Sequence, residues 1–114
     1  MNIRQKKVSG EIKHVVSKFF VENKFEQCKN SFITLAKVEI SPNLRQVKLF
    51  ISILNTVTDD EQEECFNSII KNRKRIKQAI AENINLRNVP EIRIKKDDSF
   101  KKAERIKKLL RDIK

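Results

Sequence analysis

The sequence predicts an α+β fold whose elements run helix, strand, strand, broken helix, strand and a last helix. Three observations predict it. Apolar residues recur every three or four positions over residues 3–22, two later runs alternate with period two around Ser41-Pro42-Asn43, and a second helical stretch carries an arginine where its apolar stripe should continue. With 114 residues the chain has room for a single domain, and at this size roughly two-thirds of the unfolded surface can be buried. The core is expected over residues 3–97, with a C-terminal helix at 98–113.

In the first helix Val8, Ile12, Val15, Val16, Phe19 and Phe20 form the apolar stripe, and Arg4, Lys6, Lys7, Lys13 and Lys18 fall elsewhere. A polar stretch follows, Lys24 to Ser31. The strand Phe32 to Ile40 should place Thr34, Ala36, Val38 and Ile40 on one face and Lys37 and Glu39 on the other. Its partner, Leu44 to Leu54, should place Val47, Leu49, Ile51 and Ile53 against Arg45, Lys48 and Ser52. Between them Pro42 pre-sets the second position of a turn and Asn43 tolerates the third, which makes a β-hairpin.

The next helix begins at Thr58, which has capping-box spacing to Glu61. The acidic cluster Asp59, Asp60, Glu61, Glu63 and Glu64 favours the positive end of the helix dipole and needs no ligand to explain it. Phe66, Ile69, Ile76 and Ile80 continue the stripe, but Arg73 interrupts it. A buried charge there is expensive, so the element should break near Asn72, between Lys71 and Ile76, with Arg73 outside. Pro90 ends helical structure, and Glu91 to Lys96 alternates around Ile92 and Ile94 as a third strand. Asp97-Asp98-Ser99 can cap a last helix with Phe100, Ala103, Ile106, Leu110 and Ile113 on its apolar side.

Composition excludes much chemistry. The single glycine, Gly10, rules out P-loops, dinucleotide cradles and nucleophile elbows, which need at least two. The single histidine, His14, falls on the polar side of its helix as a solvated side chain, and no CxxC pair offers a standard zinc site. No enzyme, cofactor or small-molecule substrate is expected. No stretch approaches the ~20 apolar residues of a membrane span, and the N-terminal residues lack the apolar core of a signal peptide. A cytoplasmic protein without a membrane partner is the expectation. Cys28 and Cys65 should therefore be reduced thiols, not bonded to each other, each acting as a small buried apolar residue.

Charge points to the partner. Lysine and arginine number 26 against 15 acidic residues, a net of +11, and nearly all of that excess lies from residue 65 onward. Such a balance favours a polyanion. The densest run is Lys71-Asn72-Arg73-Lys74-Arg75-Ile76-Lys77. Two helical turns span about 10 Å, enough for two or three successive phosphates, and a helix break there would also present backbone N–H groups to an anion. A second basic region runs from Arg93 through Arg111. All seven aromatics are Phe and most lie on the apolar stripes, so base stacking on an exposed aromatic sheet is disfavoured. RNA suits the pattern better than DNA, because no helix carries a set of base-reading Asn, Gln and Arg on one face. The candidate contacts are Lys71, Arg73, Lys74, Arg75 and Lys77 at the break, with Arg4, Lys6, Lys7, Arg45 and Lys48 as secondary contacts. The competing class is a basic adapter domain that binds an acidic protein partner.

The element order, with a basic helix–break–helix, resembles a type II KH domain. Its motifs resemble the bacterial ribosome-binding factor A family. The segment Val38-Glu39-Ile40-Ser41-Pro42-Asn43-Leu44-Arg45, then Lys48 and Ser52-Ile53-Leu54, is similar to the family's hairpin. Val89-Pro90-Glu91-Ile92 with Asp97-Asp98-Ser99 resembles its third-strand region, and Arg4 to Ile12 more loosely its first helix. The resemblance implies a KH-like domain and a non-enzymatic assembly factor of the small ribosomal subunit. Such a factor binds 16S rRNA in the free 30S subunit and promotes late maturation, including processing of the rRNA 5′ end. A monomer is expected, since the exposed faces are too charged for a large homodimer seam. The family's Ala-x-Gly break falls on Asn72-Arg73-Lys74, where this sequence has neither the Ala nor the Gly.

Overall fold

The amphipathic opening folds as α1, Ile3–Glu22, and its two ends are fixed by side chains the pattern alone does not reveal. A computed structural model describes residues 2–29, 31–54 and 58–97. At the start of α1 the Asn2 Oδ1 accepts from the Gln5 N–H at 2.7 Å, and the Gln5 Oε1 accepts from the Asn2 N–H at 3.0 Å. This reciprocal box satisfies two otherwise orphaned helix donors. Gln5 is also buried, and its Nε2 donates to the carbonyl of Ile40 at 3.0 Å, tying the beginning of α1 to the end of the first strand.

After α1 come a single 3-10 turn (Glu26–Cys28), β1 (Phe32–Ile40), β2 (Gln46–Leu54), α2 (Asp59–Lys71), α3 (Arg73–Asn83) and β3 (Glu91–Lys96). The class is α+β with the αββααβ order. The last helix, expected at 98–113, lies outside the described residues. The sheet order is β1-β2-β3: β1 and β2 are antiparallel, and β2 and β3 are parallel. A parallel pair requires a long crossover, which α2 and α3 supply. The core forms where the helices meet the sheet face bearing Val47, Leu49, Ile51 and Ile53, and it includes Ile12, Val16, Ile69, Ile76, Ile80 and Ile92. Each such side chain, fully buried, contributes about 1.5–3 kcal/mol.

Two strand details differ from the pattern. Ala36 is an extra residue in β1, because pairing shifts register between Leu35 and Lys37. Leu35 is therefore buried with Val38 and Ile40, while Thr34 and Ala36 face outward. Strict period-two counting cannot register an insertion that flips every residue before it. Leu44 belongs to the hairpin turn and not to β2. The Leu44 N–H donates to the Ser41 carbonyl at 2.9 Å, closing the turn with Pro42 and Asn43 at its centre. Leu44 itself has φ 60°, a left-handed conformation that costs a leucine about 1 kcal/mol. Its side chain is buried, which offsets that strain.

The second helical stretch breaks where Arg73 would have met the core. Asn72 ends α2 and begins α3 with φ −96° and ψ 13°, and Arg73 is exposed. No positive φ occurs at the break, so its geometry does not require a glycine. Asn72 bridges the two helices: its Nδ2 donates to the Ser68 carbonyl at 2.7 Å and its Oδ1 accepts from Arg75 at 3.1 Å. The second Arg75 nitrogen donates to the Asn23 Oδ1 at 2.9 Å, and Asn23 Nδ2 caps the carbonyl of Phe19 at 3.0 Å. The Arg75 guanidinium also lies 5.5 Å from the centre of the Phe19 ring. The break is thus fastened to the end of α1.

The cysteines correct the expectation of free thiols. Cys28 and Cys65 form a disulfide, with Cα atoms 4.9 Å apart. The 3-10 turn lays Cys28 against α2, both residues are buried, and the intervening chain returns through the hairpin. The expectation of reduced thiols rested on compartment, which carries no information about proximity.

Two outcomes follow for stability. A cross-link spanning 37 positions should contribute about 4 kcal/mol by loop-closure entropy. Urea unfolding with and without reductant should show a loss of that order, and unreduced proteolytic mapping should recover the two cysteine peptides joined. At the break, Arg75→Gln should lower the unfolding free energy by about 1 kcal/mol through its lost hydrogen bonds and ring contact. Arg73→Gln and Lys74→Gln should stay within about 0.5 kcal/mol of the parent.

Candidate nucleic-acid interface

The break converts a run of sequence charge into a local surface. Lys71 ends α2, and Arg73, Lys74 and Lys77 occupy the first turn and a half of α3, all exposed. Arg73 and Lys77 are four residues apart, and Lys74 and Lys77 three, so their side chains share one side of α3. Ile76 and Ile80 occupy the adjoining side and are buried in the core, so the cations border the seam where α3 meets it. Among the described residues no carboxylate pairs with these four cations. No side chain caps the start of α3, so its first amides point from the same place as the cations. That combination suits a phosphate backbone. Arg75 differs: its guanidinium is engaged by Asn72, Asn23 and Phe19, which makes it a fastening of the site.

The secondary residues do not join this cluster. The beginning of α1 is tied to the hairpin through Gln5, and its end to the break through Asn23 and Arg75. The 20 residues of α1 span about 30 Å. Arg4 and Arg45 therefore lie at the far end of the molecule from Lys71, Arg73, Lys74 and Lys77, and there they line one cleft. Lys6 and Lys7 are exposed on the first two turns of α1. Lys48 stands on the outer face of the sheet.

That outer face carries more positive charge than the candidate set includes. Lys48 is registered opposite Arg93 on one side and Glu39 on the other, and Phe50 is registered between Lys37 and Lys95. Glu39 offsets part of this charge: Lys37 donates to it at 2.8 Å. The Glu39 carboxyl is held below its usual range chiefly by that hydrogen bond, which outweighs an opposing desolvation and is helped by the charges of Lys37 and Lys48. Lys37 also sits 5.8 Å from the centre of the half-buried Phe50 ring. Lys96, by contrast, is used internally, paired with Glu63 at 2.8 Å and 5.2 Å from the centre of the Phe66 ring. Arg93 and Lys95 were legible as the polar phase of the third strand, alternating with Ile92 and Ile94. Arg87, beside the cleft of Arg4 and Arg45, had no local signal, because only the folded chain brings it there.

Comparison with known proteins bears on the whole chain. The family model described as ribosome-binding factor A matches residues 4–110. The ribosome-binding factor A of Zymomonas mobilis is 30% identical over 112 residues, covering 96% of this chain and 77% of that protein. That of Thermomicrobium roseum is 31% identical over 93 residues, covering 82% and 70%. Among solved structures, the solution structure of a Thermotoga maritima protein described as a putative ribosome binding factor A superposes with a TM-score of 0.68 at 24% identity, covering 87% of this chain and 93% of that one. The crystal structure of ribosome-binding factor A from Thermus thermophilus gives 0.67 at 11% identity, covering 81% and 93%. A homology model of the Thermus protein, as fitted into a cryo-electron microscopy map of its complex with the 30S subunit, gives 0.65 at 11% identity, covering 81% and 93%. These likenesses to solved structures fix the fold, and the match along the sequence fixes the family: this chain belongs to the ribosome-binding factor A family.

Proposed function

We propose that this protein binds 16S rRNA in the free 30S subunit as a cytoplasmic, monomeric, non-enzymatic factor and promotes late subunit maturation, including processing of the rRNA 5′ end. The observation that carries this reading is the cation cluster at the start of α3, without an acidic partner among the described residues and set on a helix break whose first amides have no side-chain cap among them. Membership of the family supports the choice of the small subunit, and a Thermus relative has been placed in a 30S complex.

The mechanism follows from what the cluster offers. Lys71, Arg73, Lys74 and Lys77 neutralise successive phosphates, and the α3 amides add directional donors without reading bases. Contact of that kind holds an rRNA strand in place while leaving its sequence free to re-pair. The fastening of the break by Asn72 and Arg75 fixes the backbone from which the cations project. Nothing in this arrangement needs to make or break a covalent bond; the effect on processing is to present or shield the strand.

Replacing Lys71, Arg73, Lys74 and Lys77 together by Gln, with Arg75 kept, should preserve the fold by circular dichroism. Affinity for purified free small subunits should fall, and the log–log salt slope should lessen by roughly two to three units. In cells lacking the protein, the same variant should fail to restore rRNA 5′-end maturation. Unchanged affinity and slope would overturn the assignment of the cluster. Partner capture that survives nuclease treatment would favour an acidic protein partner instead.

A further inference from the structure

Three arginines from three separate elements line one cleft at the hairpin end of the molecule. Arg4 comes from the first turn of α1, Arg45 from the approach to β2, and Arg87 from the loop between α3 and β3; Asn43 and Asn88 complete its rim. The cleft has a volume of about 570 Å³. Among the described residues no carboxylate lines it, and none of the three arginines is paired with an acidic group.

Arg4 and Arg45 are carried on hydrogen-bonded backbone, and Arg87 lies in a loop flanked by packed residues. Arg4 belongs to the turn closed by the Asn2–Gln5 box, which Gln5 anchors to Ile40. Arg45 is held at both backbone ends: its N–H donates to the Asn43 Oδ1 at 3.1 Å, and its carbonyl accepts from the Glu91 N–H at 2.8 Å. Arg87 follows Leu86, which packs on the core, and precedes the fully buried Pro90. Like charges that line one cleft repel one another, and no anion among the described residues relieves them. Guanidinium groups present planar pairs of donors that match phosphate oxygens, and three of them lining one cleft form a receptor for such a group.

We infer that this cleft is a second phosphate-binding site, and that its ligand is a backbone phosphate of RNA. The inference rests on the proposed RNA-binding role but places a contact about 30 Å from the break, at the other end of α1. A single RNA strand engaged at both ends would be held at two points with the helix face between them. Arg87, absent from the sequence-derived contacts, becomes one of the three residues of this site.

The test uses the full chain and a single-stranded RNA 12-mer, followed through the side-chain Nε–Hε resonances of arginine. The resonances of Arg4, Arg45 and Arg87 should move together on titration, and should still move in the variant lacking the four cations of the break. Arg87→Gln should weaken RNA binding about fivefold and lower the salt slope by about one unit. Arg87→Lys should recover only part of the affinity, because a point charge replaces a planar donor pair. Unmoved arginine resonances, or wild-type affinity in Arg87→Gln, would overturn the cleft. A parallel titration with inorganic pyrophosphate separates the sources of phosphate: tighter binding of pyrophosphate than of the 12-mer would overturn RNA as the ligand. Binding of the same protein to free small subunits is measured alongside. Its absence with the arginines still responding would refute the assembly role alone; its presence with the arginines silent would refute the cleft alone.

Discussion

The chain must bury Ile69, Ile76 and Ile80 on one side of its crossover while keeping Arg73 in water, and a straight helix cannot do both. Asn72 resolves the conflict by ending one helix and beginning the next, with its amide donating to the Ser68 carbonyl of the first and accepting from the Arg75 side chain of the second. Much else depends on that point. The crossover returns β3 parallel to β2, the apolar stripe stays in register with the sheet, and the residues that could not be buried are gathered on the outside of the break. The cation cluster is what remains once the core has been satisfied.

The same helix that supports the core sets the scale of the surface. One end of α1 is bound to the hairpin through Gln5, and the other to the break through Asn23 and Arg75. Positive charge is displayed at both ends and, between them, on the outer sheet face at Lys48, Arg93 and Lys95. Cations used for structure are distinguishable from cations left available: Arg75 and Lys96 have protein partners and aromatic contacts, whereas Lys71, Arg73, Lys74 and Lys77 have no acidic partner among the described residues. The disulfide between Cys28 and Cys65 staples the 3-10 turn to α2 ahead of the break, which limits how far that part of the crossover can shift.

Most of the fold was legible because its signals are local. Period and capping placed α1, the hairpin turn, the start of α2 at Thr58 and the third strand, and one misplaced arginine located the break. What escaped depended on the folded chain. The bulge at Ala36 reverses a phase that sequence alternation assumes constant, and Leu44 takes a conformation that leucine rarely adopts, held by its burial. The disulfide and the Arg4–Arg45–Arg87 cleft join residues that are remote in sequence, and no spacing rule brings them together. Charge density picked out Arg75 as readily as its neighbours, because density is blind to whether a guanidinium already has partners.

The central claim is that the outside of the helix break faces RNA backbone. Ultraviolet cross-linking of the full chain on free small subunits, with the attached peptides mapped by mass spectrometry, tests it most directly. The account predicts rRNA adducts concentrated on the peptides that carry residues 71–77. Adducts confined to the outer sheet face, with none on those peptides, would contradict it.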